Sequence, residues 1–118
     1  MIELAQIRAI ALALPEVQEG PPVPAARRVA AFKVAGKSFV GVEQGLRTMT
    51  ISLGEREAQS VVAAQPDAYE EIWRAGKGFL GLRVDLSRVS AARVRELIER
   101  SWRHSAPRRL AAAHGRDV

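Results

Sequence analysis

The last stretch of the chain, 101-SWRHSAPRRLAAAHGRDV-118, carries four arginines and two histidines but only one acidic residue. A guanidinium group binds phosphate oxygens through its planar fork, so arginines without a nearby carboxylate are available for a phosphate-bearing partner. Arg103, Arg108 and Arg109 have at most one acidic residue among them at helical spacing. The types and spacing of these residues therefore predict contact with phosphate.

Other arginines of the same region are expected to be neutralised locally. Arg95 lies four residues before Glu99, and Glu96 lies four residues before Arg100. Ion pairs at this spacing stabilise a helix by about 0.2–0.5 kcal/mol each and occupy both charges on the helix surface. Glu99 has the same spacing to Arg103, which leaves that arginine with one candidate partner.

The positive charge of the chain is confined to two segments. The formal net charge is +5, and residues 27–47 and 93–118 each carry +4, while the other segments are slightly acidic. Clustered basic residues on a neutral body are typical of a protein with a polyanionic partner. Arg47 lies in the first of these segments and belongs to the candidate set.

A basic hairpin is predicted in the first segment. Lys33 and Lys37 flank a turn expected at Ala35-Gly36, so the two lysines would lie at the tip of a hairpin that acts as a basic wing. Lysines on edge strands also discourage aggregation, and this alternative stays open.

Catalytic and metal-binding patterns are missing from the sequence. The run 76-GKGFLG-81 has the letters of the dinucleotide fingerprint, but a strand is predicted after it where that motif needs a helix. His104 and His114 have no carboxylate or cysteine nearby, and the chain contains no cysteine. We therefore expect no enzyme activity, no cofactor and no metal site.

The elements that position these residues follow from the hydrophobic periodicity. An amphipathic helix is predicted to end at Pro15, and 20-GPPVPA-25 reads as an extended loop. Three strands in a meander are expected over 29–34, 39–42 and 46–53. Their inward residues are Ala30, Phe32, Val34, Phe39, Val40, Val42, either Leu46 or Met49, and then Ile51 and Leu53.

A second helix, a strand and a final helix complete the pattern. Ser52 and Glu55 have capping-box spacing for a helix that ends before Pro66, and 69-YEEIW-73 is ambiguous. A strand over 79–86 is expected to direct one set of residues to a single face, namely Leu80, Leu82, Val84 and Leu86. The final helix has Ser90 as its expected N-cap and an apolar stripe of Val94, Leu97, Ile98 and Trp102.

The order of these elements predicts an α+β fold, because strands occur in runs and are not separated one by one by helices. We expect two layers, in which helices cover an antiparallel sheet. A chain of 118 residues is expected to form a single domain over 1–118, with 107–118 as its basic C-terminal end. Trp102 and Phe39 could stack on bases, but their spacing favours a place in the core.

Four stretches in this order resemble the MmcQ/YjbR-like family of small bacterial proteins. They are 12-LALPEVQEGP-21, 31-AFKVAGKSFVGV-42, 78-GFLGLRVDL-86 and 102-WRHSAPRRLAA-112. The resemblance implies the order helix, three strands, helix, two strands and helix, a fold similar to secretion chaperones, and DNA binding through a double-wing arrangement. It supplies no proven contact residues. The chain departs from the family pattern at 21-PPVPAARRVA-30, which argues against a pocket in that loop.

The sequence thus leads to a non-enzymatic DNA-binding protein that contacts the phosphate backbone. Its candidate contact residues are Lys33, Lys37, Arg47, Arg103, Arg108 and Arg109. The alternative is a protein-interaction or chaperone-like module, as a homodimer or with another protein partner, without a role in nucleic-acid binding. The longest apolar stretch, 9–14, is too short for a signal peptide or membrane span, so a cytoplasmic location is expected.

Overall fold

The computed structural model describes residues 1–116, so the last two residues of the basic end predicted over 107–118 lie outside the described part. The described chain contains four α-helices, one short 3-10 helix and six strands. In chain order they are α1 (Leu4–Leu12), β1 (Val17–Gly20), the 3-10 helix (Pro24–Ala26), β2 (Arg28–Val34), β3 (Lys37–Glu43), β4 (Thr48–Ile51), α2 (Glu55–Ala64), β5 (Tyr69–Arg74), β6 (Gly78–Asp85), α3 (Ala91–Ser105) and α4 (Arg108–Arg116).

All six strands form one antiparallel sheet in the order β1-β2-β3-β4-β6-β5. The long helix α3 packs on β3 and β4, α2 packs on β5 and β6, and α1 packs on α3. The apolar side chains of the strands form one core cluster with residues of these three helices. The predicted α+β fold, with an antiparallel sheet covered by helices, is confirmed.

The structure adds a strand that the sequence pattern did not predict. Val17–Gly20 pairs with the outer side of β2, from Val17 opposite Val34 to Gly20 opposite Ala31. These four residues lack apolar alternation, so the exposed hydrogen-bonding edge of β2 is what gives them strand conformation. The ambiguous stretch 69–73 is also a strand, since it lies within β5.

Two local predictions were wrong, and neighbouring strands explain both. Helix α2 begins after Gly54, because the Ser52 hydroxyl donates a hydrogen bond to the Ser38 carbonyl, at 3.4 Å, and does not cap the helix. Leu80 is 41% exposed although Leu82 and Val84 are buried. A β-bulge makes Leu80 the extra residue of β6 opposite β5. The bulge changes the direction of the Leu80 side chain, so that it does not join Leu82 and Val84 in the core.

The hairpin of β2 and β3 has the predicted turn. Ala35 and Gly36 are its two central residues, and both have positive φ, 49° and 80°, as a two-residue turn with right-handed strand twist requires. A bulge in β3 lets Phe39 and Val40 both enter the core. The turn fixes Lys33 and Lys37 close to one end of the sheet.

Helix α3 is positioned by its N-cap and by Trp102. The Ser90 hydroxyl accepts a hydrogen bond from the Arg93 amide, which confirms the predicted cap. Trp102 and Phe39 are 0% and 1% exposed, so both fill the core as expected. Within residues 1–116, no helix is long and apolar enough to span a bilayer.

Candidate nucleic-acid interface

The last turns of α3 and helix α4 lie at the end of the sheet that carries the β2–β3 turn. We call this end of the sheet the hairpin end. The Ser101 hydroxyl of α3 donates a hydrogen bond to the Phe39 carbonyl at 2.8 Å, two residues beyond Lys37. Trp102 donates its indole N–H to the Pro15 carbonyl at 3.1 Å, immediately before β1. The end of α3 is therefore fixed against the first residues of β1 and β3.

Helix α4 folds back onto this end. The rings of Trp102 and His114 lie edge to face with centroids 4.9 Å apart, and a guanidinium nitrogen of Arg109 lies 3.9 Å from a Glu16 carboxylate oxygen. Val17 pairs with Val34, which pairs with Lys37. Because neighbouring strands are roughly 4.8 Å apart, the backbone of Lys37 lies about 10 Å from that of Val17.

Five of the six predicted contact residues lie at the hairpin end, and all five are exposed. Lys33, Lys37, Arg103 and Arg108 form no ion pair with the side chains that the structure describes. The one ion pair of Arg109 with a described side chain is the long contact with Glu16, and Arg109 is 75% exposed. These five cations can therefore approach an external anion without giving up a strong internal partner.

Arg47 lies apart from the other five. It precedes β4 beside the far end of β3, about 20 Å from Lys37 at roughly 3.3 Å per strand residue. A nitrogen of its guanidinium lies 3.8 Å from a carboxylate oxygen of Asp85. Hydrogen bonds from Ser87, together with Arg47 and Arg88, hold the pKa of that carboxyl below its ordinary value. Arg47 is thus not brought together with the hairpin end.

The ion pairs of α3 differ in part from the predicted ones. The pair of Glu96 and Arg100 is formed at 2.7 Å, but Glu96 also binds Arg93 at 2.8 Å. Among the described side chains, Glu99 pairs neither with Arg95 nor with Arg103. The lack of a pair with Glu99 leaves Arg103 available at the hairpin end.

A second polar surface lies on the face of the sheet opposite the helices, which we call the open face. One cross-strand row runs over it through Gly20, Ala31, Gly41, Thr50, Arg83 and Glu70. The small side chains at the centre of this row leave a groove of about 480 Å³. Among the described residues, Arg28, Arg74 and Arg83 line the groove together with one carboxylate, that of Glu43.

Arg83 is held in a fixed position on this face. Its guanidinium donates to Glu43 at 2.9 Å and also to Glu70, and Glu43 accepts a further hydrogen bond from Thr48 at 2.9 Å. Burial raises the pKa of the Glu43 carboxyl, but the hydrogen bonds from Arg83 and Thr48 outweigh burial and leave the pKa below its ordinary value. The hydrogen bonds to Glu43 and Glu70 raise the pKa of Arg83. The cluster is therefore charged at neutral pH.

Arg28 has a different environment in the same groove. Its side chain lies flat across Gly41, so that a Cβ at this glycine would be 2.8 Å from Arg28 Nε and 2.9 Å from Cδ. Arg28 forms no hydrogen bond or ion pair with the described side chains, although it is half-buried. It adds a further cation to the open face.

Glu43→Gln is expected to lower the free energy of unfolding at pH 7 by about 1 kcal/mol, because Arg83 loses its less exposed ionic partner. Since the folded-state pKa of Glu43 is depressed, its contribution is present above the ordinary glutamate pKa of about 4.3 and is lost as the pH falls through the lower folded-state value. Urea unfolding of both proteins at pH 7 and at pH 3 measures this difference.

Glu70→Gln serves as the matched control, because Glu70 binds the same guanidinium but its side chain is 68% exposed, against 19% for Glu43. We expect a change below about 0.5 kcal/mol in the control. An effect of Glu43→Gln that is as large at pH 3 as at pH 7 would show that ionisation of the carboxyl is not its cause.

The sequence interpretation missed the open face, although one signal of it was present. Arg83 lies between the buried residues Leu82 and Val84 in β6. Because side chains alternate along a strand, Arg83 points to the opposite face of the sheet. The position of Arg28 over Gly41 had no comparable signal, because it depends on the register between β2 and β3.

A solved structure has a similar fold. The crystal structure of Deinococcus radiodurans protein DR2400, whose domain is named DUF419, matches with a TM-score of 0.69 and 20% sequence identity over 87% of this chain and 78% of that chain. At this identity the likeness shows the fold alone. No curated protein matches the chain.

The family resemblance is confirmed by a match to the model of the family named YjbR over residues 12–104. The matched range contains Lys33, Lys37, Arg47 and Arg103, and it ends before Arg108 and Arg109. It spans well over half of the sequence and includes the whole sheet. By this match, the chain belongs to the YjbR family.

Proposed function

We propose that the protein is a non-enzymatic DNA-binding domain whose hairpin end contacts the phosphate backbone. The observation that carries the proposal is the group of five exposed cations at one end of the sheet, four of them without an ion pair to a described side chain. The contact residues are Lys33, Lys37, Arg103, Arg108 and Arg109. Arg47 is left out of the interface because it lies at the far end, beside Asp85.

The spacing of the cations suits a backbone partner. Lys37 stands at a hairpin tip, and Arg109 lies on a helix anchored roughly 10 Å away across two strand spacings. Cations spread over such a distance can neutralise several phosphates of one duplex at once. Contacts with phosphate carry no direct sequence information, so we expect similar affinities for unrelated duplexes.

The surroundings of the histidines support a non-enzymatic role. His114 packs against the ring of Trp102. His104 is exposed and makes no hydrogen bond or ion pair with a described carboxylate. Among the side chains that the structure describes, neither histidine has the orienting acid that a general base uses.

Arg108→Ala/Arg109→Ala is expected to weaken binding of a labelled random-sequence duplex by about tenfold at low salt, because two phosphate contacts are lost. The logarithm of the binding constant should fall linearly with the logarithm of salt concentration. The slope should be shallower by roughly 1.8 in the double variant, at about 0.9 per phosphate contact. Fluorescence anisotropy over a salt series measures both quantities.

Arg47→Ala/Arg88→Ala removes the same charge from the opposite end of the sheet and is the matched control. Both arginines are exposed and lie next to Asp85. We expect the control to retain most of the affinity and the wild-type salt slope. Equal losses in the two variants would contradict a local interface, and no binding by the wild type at low salt would contradict DNA binding altogether.

A further inference from the structure

The two edges of the sheet differ in how they are protected. Strand β1 has four residues, runs into Pro21 and Pro22, and is tied to α1 by the pair of Arg8 and Glu19 at 2.8 Å. Short strands and prolines are the usual devices that keep an edge from pairing with another chain. Strand β5 has six residues, none of them proline, and within residues 1–116 no strand pairs with its outer side.

The backbone of β5 offers a regular row of free groups on that outer side. The Asp85 amide donates to the Ala68 carbonyl at 2.8 Å, so Ala68 and, by alternation, Glu70 and Ile72 direct their backbone groups towards β6. The N–H and C=O groups of Tyr69, Glu71 and Trp73 then point outwards. The bulge between the two strands places its extra residue in β6 and leaves β5 itself regular.

The charges along β5 are complementary to those of a second β5 strand that runs antiparallel to it. Glu70, Ile72 and Arg74 alternate on the open face, with the acid and the base at equal distances from the isoleucine. We propose that β5 pairs antiparallel with β5 of a second copy of this chain, with Ile72 opposite Ile72 at the two-fold axis. Glu70 of each copy then lies opposite Arg74 of the other, and Glu71 exchanges backbone hydrogen bonds with Trp73 of the other copy.

Electrostatics also disfavours one of the two registers next to this one. A shift that brings Glu71 opposite Glu71 places like charges on the two-fold axis, which is destabilising between directly opposed residues. Arg74 forms no ion pair with the described side chains, so it is free to pair with the second copy. Glu70 binds Arg83 through Oε1, and its Oε2 remains for Arg74 of the second copy.

Trp73 supplies apolar contact at the same edge. Its side chain is 55% exposed, and its ring lies edge to face with Phe79, with centroids 5.5 Å apart. In the proposed register the two Trp73 residues are diagonal neighbours across the two-fold axis, at about 7–8 Å, within reach of each other. Tryptophan is among the residues that dominate interface energetics.

The protein is therefore expected to form a dimer that sedimentation equilibrium, measured over a wide range of protein concentration, detects. Arg74→Glu should weaken the dimer by about tenfold or more, because it replaces two attractive cross-strand pairs with two repulsive ones. Arg56→Glu is the control, since Arg56 is an exposed arginine of α2 without an ion pair to a described side chain. This control should dimerise as the wild type does.

A mixing experiment tests the register. Glu70→Lys alone should also weaken the dimer, but an equimolar mixture of the Arg74→Glu and Glu70→Lys proteins restores both oppositely charged pairs and should form the heterodimer with near wild-type affinity. A monomeric wild type at the highest concentration, a dimer that Arg74→Glu leaves unchanged, or no recovery on mixing would each overturn the proposal. None of these readouts uses DNA, so the result is independent of the proposed function.

Discussion

Trp102→Ala should lower the free energy of unfolding by about 3–5 kcal/mol, the cost typical of removing a large aromatic side chain from a core. Trp102 is completely buried, and its indole joins α3 to two other parts of the chain. The N–H donates to the Pro15 carbonyl, and the ring contacts His114 of α4. The neighbouring Ser101 fixes the same helix to β3. Urea unfolding followed by far-UV circular dichroism measures the loss.

Trp102→Phe separates the packing of the ring from its hydrogen bond. Phenylalanine keeps most of the apolar volume but leaves the Pro15 carbonyl without its donor, so we expect a smaller loss of about 1–2 kcal/mol. An alanine variant as stable as the wild type would mean that Trp102 does not fill the core. Since His114 of α4 packs against this ring, Trp102→Ala should also weaken any binding that depends on Arg108 and Arg109.

Gly81→Ala is expected to destabilise the protein by about 3 kcal/mol, at the upper end of the usual cost of overpacking. A Cβ at Gly81 would overlap the carbonyl oxygen of Ile51 on the adjacent strand β4. The obstacle is backbone, and it can only be relieved if β4 and β6 separate at the centre of the sheet. The midpoint of urea unfolding should fall accordingly.

Alanine substitutions at two other glycines of the open face should reduce stability less than Gly81→Ala does. At Gly20 the nearest atom to a new Cβ is Lys33 Cε at 3.6 Å, so Gly20→Ala should change stability by less than about 0.5 kcal/mol. At Gly41 the obstacle is the flexible Arg28 side chain, and we expect Gly41→Ala to cost about 1 kcal/mol. Equal effects at all three positions would argue against a specific clash with Ile51.

The features predicted correctly are those that depend on neighbours along the chain. The turn at Ala35-Gly36 follows from two residues between alternating strands, and α3 follows from its cap at Ser90 and its apolar stripe. In these segments the local conformational preference and the pattern of burial favour the same structure, so the sequence pattern is sufficient to predict it. The positions of Lys33 and Lys37 at a hairpin tip were predictable for this reason.

Features that depend on pairing between distant residues were not predictable. Val17–Gly20 becomes a strand only because β2 offers it a free edge, and Ser52 leaves α2 uncapped because Ser38 lies beside it in the sheet. The groove of the open face forms where the register between β3 and β4 places the small residues Gly41 and Thr50 side by side. No periodicity along the chain encodes such a register.

The fold class, the family and the arginines without local acids follow from the order of residues along the chain. Which of the basic residues lie together depends on the tertiary structure. Arg47 shares a charged segment with Lys33 and Lys37, yet β3 carries it to the far end of the sheet, while α3 and α4 bring Arg103, Arg108 and Arg109 from the other end of the sequence to the hairpin end. Charge counted along a chain is one-dimensional, and an antiparallel strand places its two ends about 20 Å apart.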